Sequence, residues 1–249
     1  MSKVDVILSS GFLGFAYHTG FLSAIHSANL KVEHLMGTSS GALVGALYCA
    51  GYPIDFIKYE ITKYSPISMA TIFPISTTGL LNMDPLIKRI SKILPRSFDN
   101  LKINFSCGVV DNSGCYRLLN AGSLPEAICA SMAIPYLFKP VEVSGVMGGP
   151  FFDGGVKYRV GYEPWRQSLK KETNKTLIHL IENSYTLMGK EENYLGLDDV
   201  LVFHSPRSHE SFIKLKKFQH QFLDAELRIG PQLNRINNNT GIPTHSSEI

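Results

Sequence analysis

Long apolar runs are missing from this 249-residue chain. No stretch of about 18 residues is free of polar interruption, so no membrane-spanning helix is expected. A one-sided charge is missing too: 24 basic residues stand against 21 acidic ones, a formal net charge of +3. That balance is no signature of nucleic-acid binding, although a mild basic excess tolerates an anionic membrane surface. Cysteine is sparse. Cys49, Cys107, Cys115 and Cys129 lie far apart, with no C-x-x-C pair and no histidine at metal-ligand spacing. This argues against a zinc site or a disulfide framework and reads as buried free thiols in a reducing compartment. The opening MSKVDVILSSGF has one short apolar run and no signal-peptide core. A cytoplasmic location is therefore expected, with peripheral contact to a membrane left open. Internal repeats, low-complexity tracts and interdomain linkers are also absent, and nothing in the pattern specifies an oligomeric state.

What remains is an ordinary globular composition, 44% hydrophobic and 18% charged, on a chain long enough to bury a substantial core. Val4 to Leu8 reads as a buried strand running into the turn Ser9-Ser10-Gly11, and Phe15 to Ala28 as a helix. Val32 to Met36 is a second strand, and the small apolar run Ala42 to Ala50 a helix packed on a sheet. Strand, helix, strand, helix in quick succession predicts an α/β fold with a mainly parallel sheet. Residues 64 to 82, broken by Pro66 and Pro74, interrupt this rhythm and suggest either a lid or acyl-chain wall, or a packed surface loop. Asp84 to Leu94 follows as a helix with Pro85 in its first turn. Leu101 to Val110 and Cys115 to Leu119 form a hairpin through Asp111-Asn112-Ser113-Gly114. Ser123 and Glu126 carry the spacing of a capping box before the helix to Met132. Thr176 to Glu182 is a further strand. An amphipathic helix is expected from Ser208 to Ile229, serving as a core cover or a membrane-surface face. The polar tail from residue 237 onward reads as disordered.

Three patterns carry chemistry. Gly37-Thr38-Ser39-Ser40-Gly41 is a G-x-S-x-G sequence between a strand and a helix. A nucleophilic serine needs such a sharp turn, with glycines relieving the crowding and helix N-terminal amides facing the developing negative charge. The alternatives are that Ser39 only caps the helix, or that a displaced turn makes Ser40 the nucleophile. Ser10-Gly11-Phe12-Leu13-Gly14 places a second glycine turn at a strand end, where backbone amides could hold an oxyanion or a phosphate. Phe151-Phe152-Asp153-Gly154-Gly155 puts a shielded carboxylate at another strand end. It could serve as a base with a raised pKa, or simply form an Asp-Gly turn. A histidine triad stays open on chain order, since His179, His204, His209 and His220 follow Asp153, although none has a motif around it. His18 lies in the first helix, either packed or facing solvent.

Together these residues resemble the patatin-like phospholipase family. Four blocks occur in its order: SSGFLG (9–14), GTSSGAL (37–43), ASMAIPYLFKPV (130–141) and DGG (153–155). The resemblance covers roughly residues 5–166, and its order is more specific than any one motif. It implies a three-layer α/β/α fold and a Ser–Asp dyad, with Ser39 as nucleophile and Asp153 as general base. The oxyanion hole would come from Ser10, Gly11, Phe12 and Ser40, with Gly14, Gly37, Gly41, Gly154 and Gly155 as motif glycines. Hydrolysis of lipid or phospholipid acyl esters is implied, with no metal or cofactor. The loop departs from the family: Ser9 and Ser10 replace glycines, and Leu13 stands where a basic residue is common. Residues 167–235 are expected to complete the same domain, and 236–249 to form the tail. The rival readings are an acyl transferase or thioesterase, and a catalytically silent module that binds lipid or protein.

Overall fold

The computed structural model describes residues 2–63, 71–72, 81–169, 174–182, 189, 194, 197–211 and 214–238. The 64–82 segment lies mostly outside these residues, as does the tail from residue 239. In chain order the elements are β1 (Lys3–Leu8), α1 (Phe15–Ser27), β2 (Lys31–Thr38), α2 (Ser40–Cys49), α3 (Ile54–Thr62), β3 (Thr71–Ile72), β4 (Leu81–Asn82) and α4 (Asp84–Ile90). They continue with β5 (Asn104–Val110), β6 (Tyr116–Leu119), α5 (Leu124–Ser131), β7 (Phe152–Asp153), α6 (Tyr162–Ser168), β8 (Lys175–Ile181), β9 (Val200–Ser205) and α7 (Phe218–Asn238).

The main sheet runs β6-β5-β2-β1-β8-β9, with β7 also paired to β5. The four contacts from β5 through β2, β1 and β8 to β9 are parallel, while β6 and β7 run antiparallel to β5. The C-terminal halves of β1 and β2 are buried on both faces, which is why Val6, Ile7 and Leu8 in β1 and Leu35 and Met36 in β2 are apolar side by side rather than alternating with polar residues. Along β1, Val6 and Leu8 join the large core under α1, α2 and α7, while Ile7 joins a smaller core with Tyr162 and Trp165 of α6. Helices therefore flank a mostly parallel sheet on both sides, one layer thick and the other thin.

The helix ends depart from local sequence pattern, and α4 for one stops at Ile90 rather than running to Leu94. Ser123 makes no side-chain cap bond; Glu126 instead accepts the Ser144 amide at 2.7 Å. A longer-range partner has thus displaced the local capping box. The last helix also begins later and ends later than its sequence pattern suggests. Ser208 accepts the Glu210 amide and contacts Gln221, and the Glu210 carboxylate accepts the Lys217 amide at 2.6 Å. These bonds hold an irregular approach and delay the helix to Phe218. At the other end the helix passes through Pro231 because Ile229 and Leu233, both fully buried, lie one turn apart on the same face. Packing outweighs the bond lost at proline. Helix α7 lies tight on α1: a Cβ at Gly20 would come 2.3 Å from the Phe222 carbonyl oxygen.

Candidate active site

Strand β2 ends at Thr38 and α2 begins at Ser40, so the chain reverses direction at Ser39 alone. Ser39 holds φ 55° and ψ −120°, a conformation costing a non-glycine residue about 1–3 kcal/mol. Its neighbours hold that strain in place. The Ser39 amide donates to Ser131 Oγ at 2.9 Å, and the Ser131 hydroxyl donates to the Gly108 carbonyl at 2.7 Å. A Cβ at Gly37 would sit 2.5 Å from the Gly41 carbonyl oxygen, and one at Gly41 would sit 2.5 Å from that of Leu8. Close backbone approach therefore requires both glycines. Ser39 makes no side-chain cap bond, which removes the helix-cap reading. Replacing Ser131 by alanine strands a buried amide and a buried carbonyl. We expect a loss of about 1–3 kcal/mol, read by urea unfolding.

Asp153 reaches the elbow through strand pairing. One edge of β5 pairs with β6, and its other edge pairs with β2 as far as Gly108, opposite Thr38. Beyond that point Val109 pairs with Asp153, so β7 takes over where β2 stops. The carboxyl consequently lies one step past Thr38, beside Ser39. The Asp153 amide donates to the Ala133 carbonyl at 3.0 Å. Residues 131–133 thus brace the serine and the aspartate together. Asp153 is fully buried, and its Oδ1 accepts the Gly155 amide at 2.7 Å. Its Oδ2 has no hydrogen-bond partner among the described residues. Burial pushes the carboxyl up to about 7, against the opposing pull of the Ser39 hydroxyl and the Gly155 amide. The hydroxyl is near enough to favour the ionised carboxyl without completing a well-aligned bond. Such looseness is common at reactive pairs before substrate binds.

The glycine-rich turn lies against this pair. A Cβ at Gly155 would come 2.6 Å from Ser10 Cβ, and one at Gly154 would come 2.5 Å from the Gly108 carbonyl oxygen. Ser40 donates its hydroxyl to the Gly11 carbonyl at 2.6 Å, tying the loop to the elbow, and the Gly14 amide donates to the same carbonyl at 2.8 Å. One expectation fails: the Ser10 amide is spent on the Arg159 carbonyl at 2.7 Å and is no oxyanion donor. The Gly11 amide has no partner among the described residues. Ser40, as the first residue of α2, has no helical carbonyl for its own amide. Phe12 is half-buried against the core. Leu13, at φ 56°, is also buried, so a basic residue at this position would point into the core rather than toward a ligand.

No described histidine hydrogen-bonds Ser39 or Asp153. His179 and His18 are both buried and bond each other, Nδ1 to Nδ1, at 2.8 Å. His18 is thus packed rather than exposed. Among the described residues no cluster of three or more His, Cys, Asp or Glu side chains could hold a metal ion. Sequence reasoning missed two supports. Ser131 lies inside the recognised 130–141 block but has no role readable from its type. The Arg159 carbonyl acts through the backbone, which leaves no side-chain signal.

Several known proteins resemble this chain in sequence or fold. An uncharacterised NTE family protein of Mycobacterium bovis is 28% identical over 151 residues, 59% of this chain and 41% of that protein. The neuropathy target esterase sws of Drosophila melanogaster is 26% identical over 149 residues, 56% of this chain and 10% of that protein. The chain thus spans less than half the length of these relatives. The crystal structure of VipD from Legionella pneumophila shares the fold, with a TM-score of 0.54 at 14% identity, covering 96% of this chain and 67% of that one. No described helix is long and apolar enough to cross a membrane. The patatin-like phospholipase family model matches residues 6–164, which include the elbow, the glycine turn and Asp153, and the chain belongs to that family.

Proposed function

We propose that the chain is a lipid acyl hydrolase that cleaves fatty-acyl esters, of the phospholipase A or lysophospholipase kind, through an acyl-enzyme on Ser39. The observation that carries this reading is the juxtaposition of a strained serine and a buried, raised-pKa carboxyl with a bare Oδ2. Asp153 accepts the Ser39 proton as Oγ attacks the acyl carbonyl. A carboxylate is a weaker base than imidazole, so proton transfer accompanies attack. The Gly11 and Ser40 amides receive the oxyanion, each donor supplying about 3 kcal/mol of transition-state stabilisation. The alcohol or lysolipid leaves with the proton held by Asp153. Water, deprotonated by the same carboxylate, then releases the fatty acid.

The base must be ionised, so the rate should rise as pH passes through about 7 and level off above it. A pH profile of kcat/KM with a soluble ester reads this directly; a flat profile from pH 5 to 9 would remove Asp153 as the base. Release of fatty acid from a panel of phospholipids, lysophospholipids and neutral glycerides tests the substrate class. Lipid bound without turnover would favour a silent binding module instead, and acyl transfer to an added alcohol in preference to water would favour a transferase.

A further inference from the structure

Beneath the glycine turn, buried polar groups run in single file from the surface to Ser9. Arg228 of α7, whose guanidinium is partly exposed, donates to Ser205 Oγ at 2.9 Å, and also to the His204 carbonyl and the Asp224 carboxylate. Ser205 Oγ lies 2.9 Å from His179 Nε2, and His179 Nδ1 lies 2.8 Å from His18 Nδ1. His18 Nε2 ends the file, 3.0 Å from the Ser9 carbonyl oxygen. Phe21 stacks on His179 at 4.5 Å, closing the pair off from water.

The two ends fix the direction of every bond between them. A carbonyl only accepts, so His18 carries its proton on Nε2. Burial holds His18 down to about 3 and His179 well below the usual imidazole range, so both rings are neutral. A neutral His18 must therefore accept at Nδ1, which places the His179 proton on Nδ1 and leaves its Nε2 to accept from the Ser205 hydroxyl. Ser205 in turn accepts from Arg228, which only donates. We propose that His18, His179, Ser205 and Arg228 are positioning residues for the Ser9–Gly11 turn, joined in one directed hydrogen-bond chain that runs from α7 to the Ser9 carbonyl.

The Ser9 carbonyl and the Ser10 amide belong to one rigid peptide plane. The chain grips one end of that plane, and the Arg159 carbonyl grips the other. The orientation of this plane sets where the next amide, that of Gly11, points. Such chains polarise cooperatively, and breaking one link lets the rings adopt the opposite tautomers, turning a lone pair of His18 onto the Ser9 carbonyl. The role at the turn rests on the reading of Gly11 as an oxyanion donor. His179, Ser205 and Arg228 all lie beyond the 6–164 family match, so this support comes from the chain's own C-terminal part.

The test is nitrogen-15 NMR of the imidazole rings together with amide hydrogen exchange, on wild type, Ser205→Ala, Ser205→Thr and Arg228→Met. Wild type should show the His179 proton on Nδ1 and the His18 proton on Nε2, with both rings neutral between about pH 6 and 8. Ser205→Ala should speed Ser10 amide exchange about tenfold, and threonine should restore it. Arg228→Met, altered near the surface, should shift exchange in the same direction and serves if the buried variant does not fold. Fluorophosphonate labelling should slow about tenfold in step with exchange. A His179 proton on Nε2, or unchanged Ser10 exchange in folded variants, overturns the chain. Changed exchange with an unchanged labelling rate overturns its role at the site. A wild type that takes no probe refutes the hydrolase reading, and the tautomers and exchange rates still decide the chain.

Discussion

Replacing Ser39 by alanine is expected to lower kcat/KM for a soluble fatty-acyl ester by about ten-thousand-fold or more, with the fold retained. The size follows from the role. Without Oγ no acyl-enzyme forms, and the residual rate comes only from positioning and the two amides. The backbone should hardly notice, because alanine at φ 55° carries the same strain as serine and the Ser131 bond is made through the amide. Lipid binding should persist, so KM or a dissociation constant should change little. A second consequence is electrostatic. The Ser39 hydroxyl lowers the Asp153 pKa, so its loss should raise that carboxyl above its already displaced value of about 7. Steady-state kinetics beside a thermal melt check the first part, and a pH titration of the Asp153 carboxyl by NMR checks the second. A Ser39→Ala variant with undiminished hydrolysis would remove the mechanism.

Asp153→Asn should abolish turnover and yet make the protein more stable at neutral and alkaline pH. The sign follows from linkage. The folded carboxyl titrates near 7 instead of at its ordinary 3.8, chiefly because burial penalises its charged form. The contribution of this carboxyl to wild-type stability is therefore full below about 3.8 and is lost as pH rises through about 7, after which it is level. Asparagine keeps the shape and can still accept the Gly155 amide through its carbonyl, but it never ionises. The displacement corresponds to at most about 4 kcal/mol. We expect on the order of 2–4 kcal/mol in favour of the variant at pH 8 and near equality at pH 4. Urea unfolding of both proteins across that range decides it. A variant less stable than wild type at pH 8 would mean that the carboxylate is held by groups that favour its charge. Such a penalty carried at the site is the usual signature of a position kept for chemistry rather than for folding.

The elbow was legible because its geometry leaves marks on residue type. Gly37 and Gly41 are glycines where carbonyl oxygens come within 2.5 Å of an added Cβ, and a strand and a helix flank them. The parallel sheet was legible from the succession of strand, helix, strand and helix between β1 and α2, the rhythm that parallel crossovers impose. The conjunction of Ser39 and Asp153 was legible only through the family resemblance, not from either motif alone. It depends on β7 replacing β2 along one edge of β5, a pairing between distant segments that no local pattern encodes. The Ser10 amide was misassigned because its partner is a backbone carbonyl of Arg159, and any residue presents one. The Ser123 capping box failed to a long-range competitor, the Ser144 amide. The last helix was misplaced at its start because Ser208 and Glu210, read as helical, turn back to bond the approach to it. The histidine pair was hidden for another reason. His18 and His179 are 161 residues apart, and each alone resembles a helix or strand histidine.

Hydrolysis through this site requires an activated Ser39, and active-site labelling tests that most directly. Wild-type protein treated with a fluorophosphonate probe, digested and read by mass spectrometry should carry the adduct on Ser39. Its rate should climb as pH rises through about 7, and Asp153→Asn should be labelled far more slowly. An adduct on another residue, or a folded wild type that takes no probe in the presence of lipid, would contradict it.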